Sequence, residues 1–269
     1  MRRTGVLCMI VFYGWFAHAQ SLATPKTPVE QAAVKPSEIT QTGNTMHVAV
    51  TSARPLVTAL DLLRNKYGWS VNYEDPQFMA KTDLVESNDG RYINSVSGAR
   101  PHIPNGGLFT MDFPAGGAGG PDEQKTLKAL VDAYNQSANP GRYELREQGQ
   151  HFDVVGIAAH DGSGQIKGQT PPLDAIVTLA AKESSAIEAV TSLCDQVSKL
   201  TSQSVSVGVY PQNLLSRPVK IATTEKLEAR EAFYKIFALA LAGKEQNISW
   251  RLLYDPDSQS YVINFHLRK

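Results

Sequence analysis

The sequence predicts an α+β protein made of two tandem small modules, each with two helices packed on a mixed or antiparallel sheet. Apolar residues recur at helical spacing in four stretches and alternate at strand spacing between them. The elements follow the order strand, helix, strand, strand, helix, strand, strand, and this order occurs twice. Residues 158–172, rich in Gly, Gln and Pro, separate the two series and are predicted to be a linker. The alternative is a single α+β domain without duplication, and two sheets joined edge to edge would make one body.

The first module covers residues 46–157, and its first helix has the clearest pattern. Five apolar residues from Leu56 to Tyr67 recur at the spacing of one helix face. Pro55 suits the first turn, because its missing N–H would be unpaired there, and Gly68 can end the helix in a left-handed conformation. The other predicted elements are strands at 46–50, 69–73 and 108–113, a helix around 127–134, and a hairpin of strands at 142–147 and 151–157.

The second module covers residues 173–269 and repeats this order. Ser185 and Glu188 match a capping box, in which a hydroxyl and a carboxylate satisfy free N–H groups at the start of a helix. Cys194 lies on the apolar stripe of that helix, which predicts a buried core thiol. The predicted elements are strands at 176–179, 205–209 and 219–221, helices with stripes at 187–200 and 229–241, and a hairpin of strands at 248–254 and 261–267.

The N-terminus has the three parts of a secretory signal peptide. Residues 1–3 include two arginines, residues 6–16 form a short apolar stretch, and Ala17-His18-Ala19 is a small-x-small cleavage site. The apolar stretch is shorter than the roughly 20 residues that a membrane-spanning helix needs. We therefore expect cleavage after residue 19 and an exported protein, periplasmic or extracellular, without a transmembrane segment. The alternative is an uncleaved N-terminal anchor. Residues 20–45 are predicted to be a disordered leader.

The charge balance argues against nucleic-acid binding, and the cysteine content argues against an intrachain disulfide. Cleavage would remove Arg2 and Arg3, leaving 24 Lys and Arg against 26 Asp and Glu, a net charge of −2. Nucleic-acid-binding surfaces usually carry a strong basic excess, so no nucleic-acid partner is expected. Cleavage would also leave Cys194 as the remaining cysteine, which excludes an intrachain disulfide. A hydrophobic core must then supply the stability.

Two short stretches resemble each other. Residues 69–76 read WSVNYEDP, and residues 250–256 read WRLLYDP. Aromatic and β-branched side chains fit an alternating strand, and an acidic residue followed by proline is good turn chemistry. The two stretches do not occupy equivalent places in the two modules. We therefore interpret the likeness as shared strand-and-turn chemistry, with a shared ligand motif as the alternative.

Residues 53–73, ARPLVTALDLLRNKYGWSVNY, carry a resemblance to a known family. They have a Pro-Leu start, an Ala-Leu pair, a helix-ending Gly and an alternating strand with Tyr. This pattern is similar to the small N-terminal domain shared by secretins and TonB-dependent receptors. Residues 183–187 of the second module lack the Pro-Leu start. The resemblance implies a compact module that binds other envelope proteins without catalysis, and the chain also resembles exported bacterial proteins built this way.

The sequence predicts no metal site and no cofactor. The histidines are scattered, without an H-x-x-x-H or H-E-x-x-H pair, and the acidic turn that begins at Asp255 lacks the glycine and glutamate of a calcium loop. The glycine loop at 116–120 is followed by Asp122 and Glu123, two carboxylates that would repel a phosphate. No serine nucleophile motif occurs. A pair of carboxylates brought together by the fold is the catalytic arrangement that the sequence leaves open.

The most suggestive segment is a long insertion in the first module, residues 74–120. Loops of this length in compact domains are usually functional or disordered, and this one is too apolar for a linker. We expect it to fold back over the module and to form a surface for a partner or ligand. The candidate residues of this surface are Trp69, Tyr73, Glu74, Asp75, Phe78, Tyr92 and His102.

Together these patterns favour an exported, non-catalytic binding or scaffolding protein of the bacterial cell envelope that interacts with a protein partner. Open sheet edges that accept a strand of the partner would be its mechanism. The alternative is a glycan- or small-molecule-binding protein, or a hydrolase, with a cleft between the modules. In that case Glu74 and Asp75, beside Trp69 and Tyr73, would face a sugar. The sequence does not indicate the oligomeric state.

Overall fold

The computed structural model describes residues 37–89, 100–117, 119–149, 151–242 and 248–267. It confirms the α+β class, and none of the described helices is both long and apolar enough to span a membrane. The helices are α1 (Pro55–Tyr67), α2 (Glu123–Gln136), α3 (Ala186–Thr201), α4 (Gln212–Leu215) and α5 (Ala229–Leu241). The strands are β1 (Glu38–Thr42), β2 (Thr45–Thr51), β3 (Val71–Glu74), β4 (Leu84–Glu86), β5 (His102–Pro104), β6 (Leu108–Pro114), β7 (Arg142–Gln148), β8 (His151–His160), β9 (Ile166–Gly168), β10 (Ile176–Leu179), β11 (Lys182–Ser185), β12 (Ser204–Val207), β13 (Pro218–Ile221), β14 (Glu225–Glu228), β15 (Ile248–Asp255) and β16 (Ser260–Leu267).

Seven strands from both halves of the chain form the central sheet. Its order is β7-β8-β3-β15-β16-β12, with the short β9 paired to the end of β8. β3 and β15 pair in parallel, with Tyr73 opposite Arg251 and Glu74 opposite Leu252. The two halves are therefore joined edge to edge, and the two similar stretches of the sequence are neighbouring strands.

The halves contribute their strands to this sheet in the same way. Each half supplies an antiparallel hairpin, β7-β8 in the first and β15-β16 in the second. The second strand of each hairpin pairs in parallel with the strand that follows the first helix of that half, which is β3 in the first half and β12 in the second. A duplicated module would produce this arrangement, and the duplication itself remains a prediction.

The helices of the two halves cover opposite faces of the central sheet. Tyr73 of β3 belongs to the core formed with α1 and α2. Its neighbour Asn72 points the other way, and its amide bonds to the hydroxyl of Tyr234 on α5. Because side chains alternate along a strand and helices cover both faces, all four residues of β3 are buried.

Smaller sheets lie against the helices on the side away from the central sheet. In the first half β2 pairs with β1 on one edge and β6 on the other, and α1 contacts this sheet as well as β3. In the second half β10 pairs with β14, β11 pairs with β13, and α3 contacts β10, β11 and β12. Among the described residues no strand takes the place of β1 in the second half. The outer edge of β10 and β11 therefore has no neighbouring strand in the part of the chain that the structure describes.

Regular structure extends further than the sequence predicted at two places. Residues 38–42, assigned to the disordered leader, form β1, because their backbone pairs with β2 and Ile39 packs on the first core. In the segment predicted to be a linker, β8 continues to His160 and β9 pairs with it. Ala158 and Ala159 of this extension are buried, so the connection between the halves is part of the sheet.

The local chemistry predicted for the helix ends and the core is present. Ser185 and Glu188 make both hydrogen bonds of the capping box. Gly68 ends α1 in the left-handed conformation, at φ 75°. Cys194 is buried in the second core, and burial raises the pKa of its thiol to about 12. A thiol held in this way is a packing residue, as predicted.

Candidate functional site

The residues predicted to form a surface lie mostly inside the protein. The buried ones are Trp69, Tyr73, Glu74, Asp75 and Phe78. His102 is exposed, and Tyr92 lies outside the described residues. The buried residues therefore do not form a surface. Tyr73, Glu74 and Asp75 belong instead to a buried polar junction between the two halves.

Glu74 lies in a buried ion pair with Arg230 of α5. Nε and Nη2 of Arg230 donate to the two carboxylate oxygens of Glu74, each at 2.8 Å, and Nη1 donates to Oδ1 of Asp174 at 2.9 Å. Burial lowers the pKa of Arg230, but the adjacent Glu74 outweighs it and the pKa is raised. The charged pair holds α5 of the second half against β3 of the first.

Asp153 of β8 is a third acid in this cluster. Its Oδ1 accepts from Nδ2 of Asn72 at 2.7 Å and from the Tyr234 hydroxyl at 2.6 Å. Its Oδ2 has no hydrogen-bond partner among the described residues and lies 3.8 Å from Nε of Arg230. Burial, followed by the charge of Glu74, raises the pKa of Asp153 from 3.8 to about 6. This carboxyl group therefore binds a proton more tightly than an exposed aspartate does.

The raised pKa of Asp153 predicts a pH-dependent stability. Between about pH 4 and 6 the folded protein binds more protons at Asp153 than the unfolded chain does. The stabilisation of the fold by protonated Asp153 is therefore complete below about pH 4 and is lost as the pH rises through about 6. A pKa of about 6 instead of 3.8 corresponds to about 3 kcal/mol. Asparagine cannot ionise. The free energy of unfolding of Asp153→Asn, minus that of wild type, should therefore rise by on the order of 3 kcal/mol from pH 4 to pH 7, as measured by urea denaturation at each pH. A difference between the two proteins that stays constant with pH would contradict the prediction.

Asp75 completes the junction at the end of β3. Its Oδ2 accepts from Nε of Arg54 at 2.7 Å and from the N–H of Tyr254 at 3.0 Å. Its Oδ1 accepts from the Tyr73 hydroxyl at 2.6 Å, and its own N–H donates to the C=O of Leu252 at 2.8 Å. Arg54 also donates to the C=O of Tyr254 at 2.9 Å. Asp75 thus links the start of α1 to β15 of the other half.

Glu74 and Asp75, which the alternative interpretation of the sequence placed beside a sugar, are therefore buried and ion-paired. Glu74 and Asp75 are each bound to an arginine, and both are about 1% exposed. The aromatic residues near them are also packed: Phe78 lies in the second core, and Trp69 stacks on Tyr67 with ring centroids 5.0 Å apart. The sequence analysis thus selected residues that cluster in the structure, but it predicted them to be exposed and five of them are buried.

The described part of the insertion is fastened to both halves. His102 of β5 holds the carboxylate of Asp257 in the β15–β16 turn, through its N–H at 2.8 Å and its Nδ1 at 2.6 Å. Asp83, which is buried, binds Nδ1 of His160 at the end of β8 at 2.8 Å. β4 and β5 pair with each other between these two contacts. The described part of the insertion therefore contacts both halves of the protein.

A cavity of about 620 Å³ opens where the two halves meet. Its walls are residues 77–79, the β8–β9 hairpin, the segment that leads into β10, and the end of α3. Its polar lining includes Gln77, Asp161, Lys167, Gln169 and Asp174. Asp174 also binds Arg230, so the lining of the cavity is continuous with the buried junction.

Three large apolar side chains at this cavity face solvent. Met79 and Leu200 are each 60% exposed, and Ile176 is 57% exposed. Isolated exposed apolar residues are ordinary, whereas a group of them around one opening is typical of a binding site. The lining of the opening thus combines exposed apolar side chains with polar ones.

The outer edge of β10 forms one side of the same opening. The C=O of Ala175 accepts from Ala229 on the inner side, and alternation along the strand directs the backbone groups of Ile176 and Thr178 outward. Gln196 of α3 binds this edge much as a strand would. Its Oε1 accepts from the N–H of Thr178 at 2.8 Å, and its Nε2 donates to the C=O of Thr178 at 3.0 Å.

A second cavity continues this groove beyond Gln196. It measures about 70 Å³ and lies between β10, β11 and α3, with Leu179, Ala189 and Leu193 in its lining. We call the whole feature the β10–α3 groove; it is bounded by residues 175–184 on the strands and 188–203 on the helix. A helix beside an unpaired strand edge is one geometry in which an extended peptide binds.

The first half of the protein shows what fills the corresponding space. There β1 pairs antiparallel with the outer edge of β2 and contacts α1, and Ile39 packs against the core. In the second half the same edge carries the Gln196 amide and two cavities. In the described part of the chain, the β10–α3 groove therefore lies at the edge that corresponds to the one covered by β1 in the first half.

The sequence carried little signal for this groove. Ile176 fits the predicted strand, and Leu200 fits the apolar stripe of the predicted helix, so both are typical of core residues. No protein-family model, curated protein or solved structure matches this chain. The functional assignment therefore depends on the groove and the junction themselves.

Proposed function

We propose that this protein is an exported, non-catalytic binding protein of the bacterial cell envelope, and that the β10–α3 groove binds an extended segment of a protein partner. One observation carries the proposal: the edge of β10, held by the Gln196 amide, runs beside a cavity with three exposed apolar side chains. Main-chain hydrogen bonds to such an edge supply affinity, and side-chain pockets supply specificity.

The mode of binding follows from the place of β1 in the first half. The partner segment lies antiparallel to β10 and displaces the Gln196 side chain, whose two hydrogen bonds to Thr178 are replaced by those of a peptide group. An apolar side chain of the segment enters the large cavity between Met79, Ile176 and Leu200. Its volume of about 620 Å³ is within the range of ligand pockets, about 300–1,000 Å³.

Export and envelope location are supported by the sequence. The N-terminal pattern of residues 1–19 is typical of a secretory signal peptide. The resemblance of residues 53–73 to a domain of envelope proteins favours the same compartment. The acids nearest to an active-site pattern, Glu74 and Asp75, are engaged with Arg230 and Arg54, which favours binding over hydrolysis.

A second candidate function uses the same cavity for a glycan or another small polar molecule. The observation in its favour is the polar part of the lining, which includes Asp161, Lys167 and Gln169. A sugar would bind to these polar side chains and would not require the strand edge of β10. The two candidates therefore predict different effects for substitutions at the edge and at these polar residues.

Site-specific photo-crosslinking in native envelopes tests the proposal. A photoreactive residue is placed at position 200 or 176 in the groove, and at Leu108, which is 67% exposed on β6, as the matched control. We expect adducts from positions 200 and 176 that map to one extended segment of a partner, and none of these from position 108. Gln196→Ala should raise the adduct yield several-fold, because the competing amide is gone. Leu200→Asp, combined with the photoreactive residue at position 176, should lower the yield about tenfold.

Two outcomes would overturn the proposal. One is equal labelling of the same proteins from position 108 and from the groove, which would show non-specific contact. The other is binding of a defined glycan that is abolished by Lys167→Ala and unaffected by Leu200→Asp, which would favour the second candidate.

A further inference from the structure

The central sheet ends in two strands whose outer edges have no neighbouring strand among the described residues, β7 at one end and β12 at the other. Inside the protein, the counterparts of these strands are joined. β3 has the place in the first half that β12 has in the second, and β15 has the place in the second half that β7 has in the first. The parallel β3–β15 pair is therefore a template for joining a β12 edge to a β7 edge.

We propose that copies of this chain associate head to tail, with β12 of one copy paired in parallel with β7 of the next. The central sheet then continues from copy to copy. Because the two surfaces differ, the interface is heterologous, and every added copy leaves one β7 edge and one β12 edge for further growth. This interface lies at the ends of the central sheet, and the proposal does not rest on the β10–α3 groove.

Side chains hold one residue on each of these edges. Asn135 of α2 binds Tyr143, accepting from its N–H at 2.9 Å and donating to its C=O at 2.7 Å. Ser198 of α3 accepts from the N–H of Val205 at 2.8 Å. Its hydroxyl donates to the C=O of Cys194 at 2.8 Å and lies 3.3 Å from the C=O of Val205. Such contacts protect short edges against non-specific pairing.

In the internal junction the backbone groups at the corresponding places are bound by side chains of the opposite strand. There the N–H of Trp250 donates to Oδ1 of Asn72 at 2.9 Å, and the C=O of Val71 accepts from Nη1 of Arg251 at 2.6 Å. The strand ladder starts at the next residues, with Tyr73 opposite Arg251. The free edges differ in that these side chains come from a helix of the same half. The proposed ladder therefore begins beyond Tyr143 and Val205, as the observed ladder begins beyond Trp250 and Val71.

The register of the junction predicts the register of the interface. We align β12 with β3, and β7 with β15, so that the residues facing each core coincide. The observed pair Tyr73–Arg251 then becomes Val207 of one copy opposite Glu144 of the next. Paired strands lie about 4.8 Å apart, which is within the Cα separation that a disulfide spans.

A cavity beside β7 supplies room for the incoming strand. It measures about 420 Å³ and lies between β7 and α2, with the apolar side chains of Leu145 and Phe152 in its lining. In the internal junction, α5 covers the side of β3 that carries polar residues. In the proposed interface α2 would cover β12 of the neighbouring copy in the same way. The cavity would then receive Ser204 and Ser206 of β12, which are both exposed in the single chain.

Disulfide trapping tests the predicted register with the folded protein. A Glu144→Cys chain and a Val207→Cys chain are oxidised alone and as a mixture. Because the interface is heterologous, the mixture should form disulfide dimers several-fold faster than either chain alone, and the double variant should form a ladder of oligomers. The matched control replaces Val207→Cys by Ile176→Cys, a cysteine at the outer edge of β10.

Sedimentation velocity of the unmodified protein supplies an independent measurement. We expect the mean mass to rise continuously with concentration, without stopping at a dimer. The proposal is overturned if the Glu144→Cys and Val207→Cys mixture crosslinks no faster than the Ile176→Cys control. It is also overturned if the protein sediments as a monomer, or as a closed dimer, at every concentration.

Discussion

Replacement of Arg230 by methionine is expected to lower the free energy of unfolding by about 3–5 kcal/mol, because it breaks a buried ion pair by removing one partner. The guanidinium group is fully buried and makes two hydrogen bonds to Glu74, which is about 1% exposed. Without it, the Glu74 carboxylate is left in the interior next to Asp153 without a compensating charge. Chemical denaturation of wild type and variant at neutral pH measures the loss.

Two further variants make this result specific. Lys235→Met removes a cation of the same helix whose partners, Glu225 and Glu231, are exposed, and it should leave stability almost unchanged. Adding Glu74→Gln to Arg230→Met should recover part of the loss, because the unpaired charge is then removed as well. An equal loss for Lys235→Met, or no recovery in the double variant, would contradict the role given to this pair.

Replacement of Trp250 by alanine is expected to cost about 3–5 kcal/mol, the range for a large aromatic residue removed from a core. Trp250 is fully buried, and its ring lies 4.9 Å from that of Tyr234 and 6.0 Å from that of Phe233, centroid to centroid. The cavity would open at the strand that joins the two halves. Thermal and urea unfolding measure the loss, and Trp250→Phe should cost clearly less.

Leu239→Ala is the matched control for this prediction. Leu239 lies on the same helix as Phe233 but is 47% exposed, so its truncation leaves little cavity. A loss of less than about 1 kcal/mol for Trp250→Ala would contradict a well-packed junction, since core aromatic truncations cost several times more.

The sequence predicted those elements that depend on neighbouring residues. Pro55 and Gly68 bound α1, and Ser185 with Glu188 begin α3, because capping involves backbone groups within a few positions of the side chain. Long apolar stripes likewise predicted α1, α2, α3 and α5. These signals are local, so a single sequence contains them in full.

Short polar strands could not be predicted in the same way. β1 reads EITQT and β9 reads IKG, and neither has an apolar alternation of its own. Their order comes from hydrogen bonds to β2 and β8, whose edges the fold brings to them. A strand of this kind is defined by its partner and not by its own residues.

By itself, the sequence determined the fold class, the order of the main elements and the alternation of β3. Only the tertiary structure decided that both faces of β3 are covered: Arg230, 156 positions away, reaches Glu74 and turns a predicted surface into a buried junction. Only the tertiary structure leaves Ile176 and Leu200 exposed beside an unpaired edge. The physical reason is that periodicity reports which face of an element is apolar, whereas burial depends on what packs against each face.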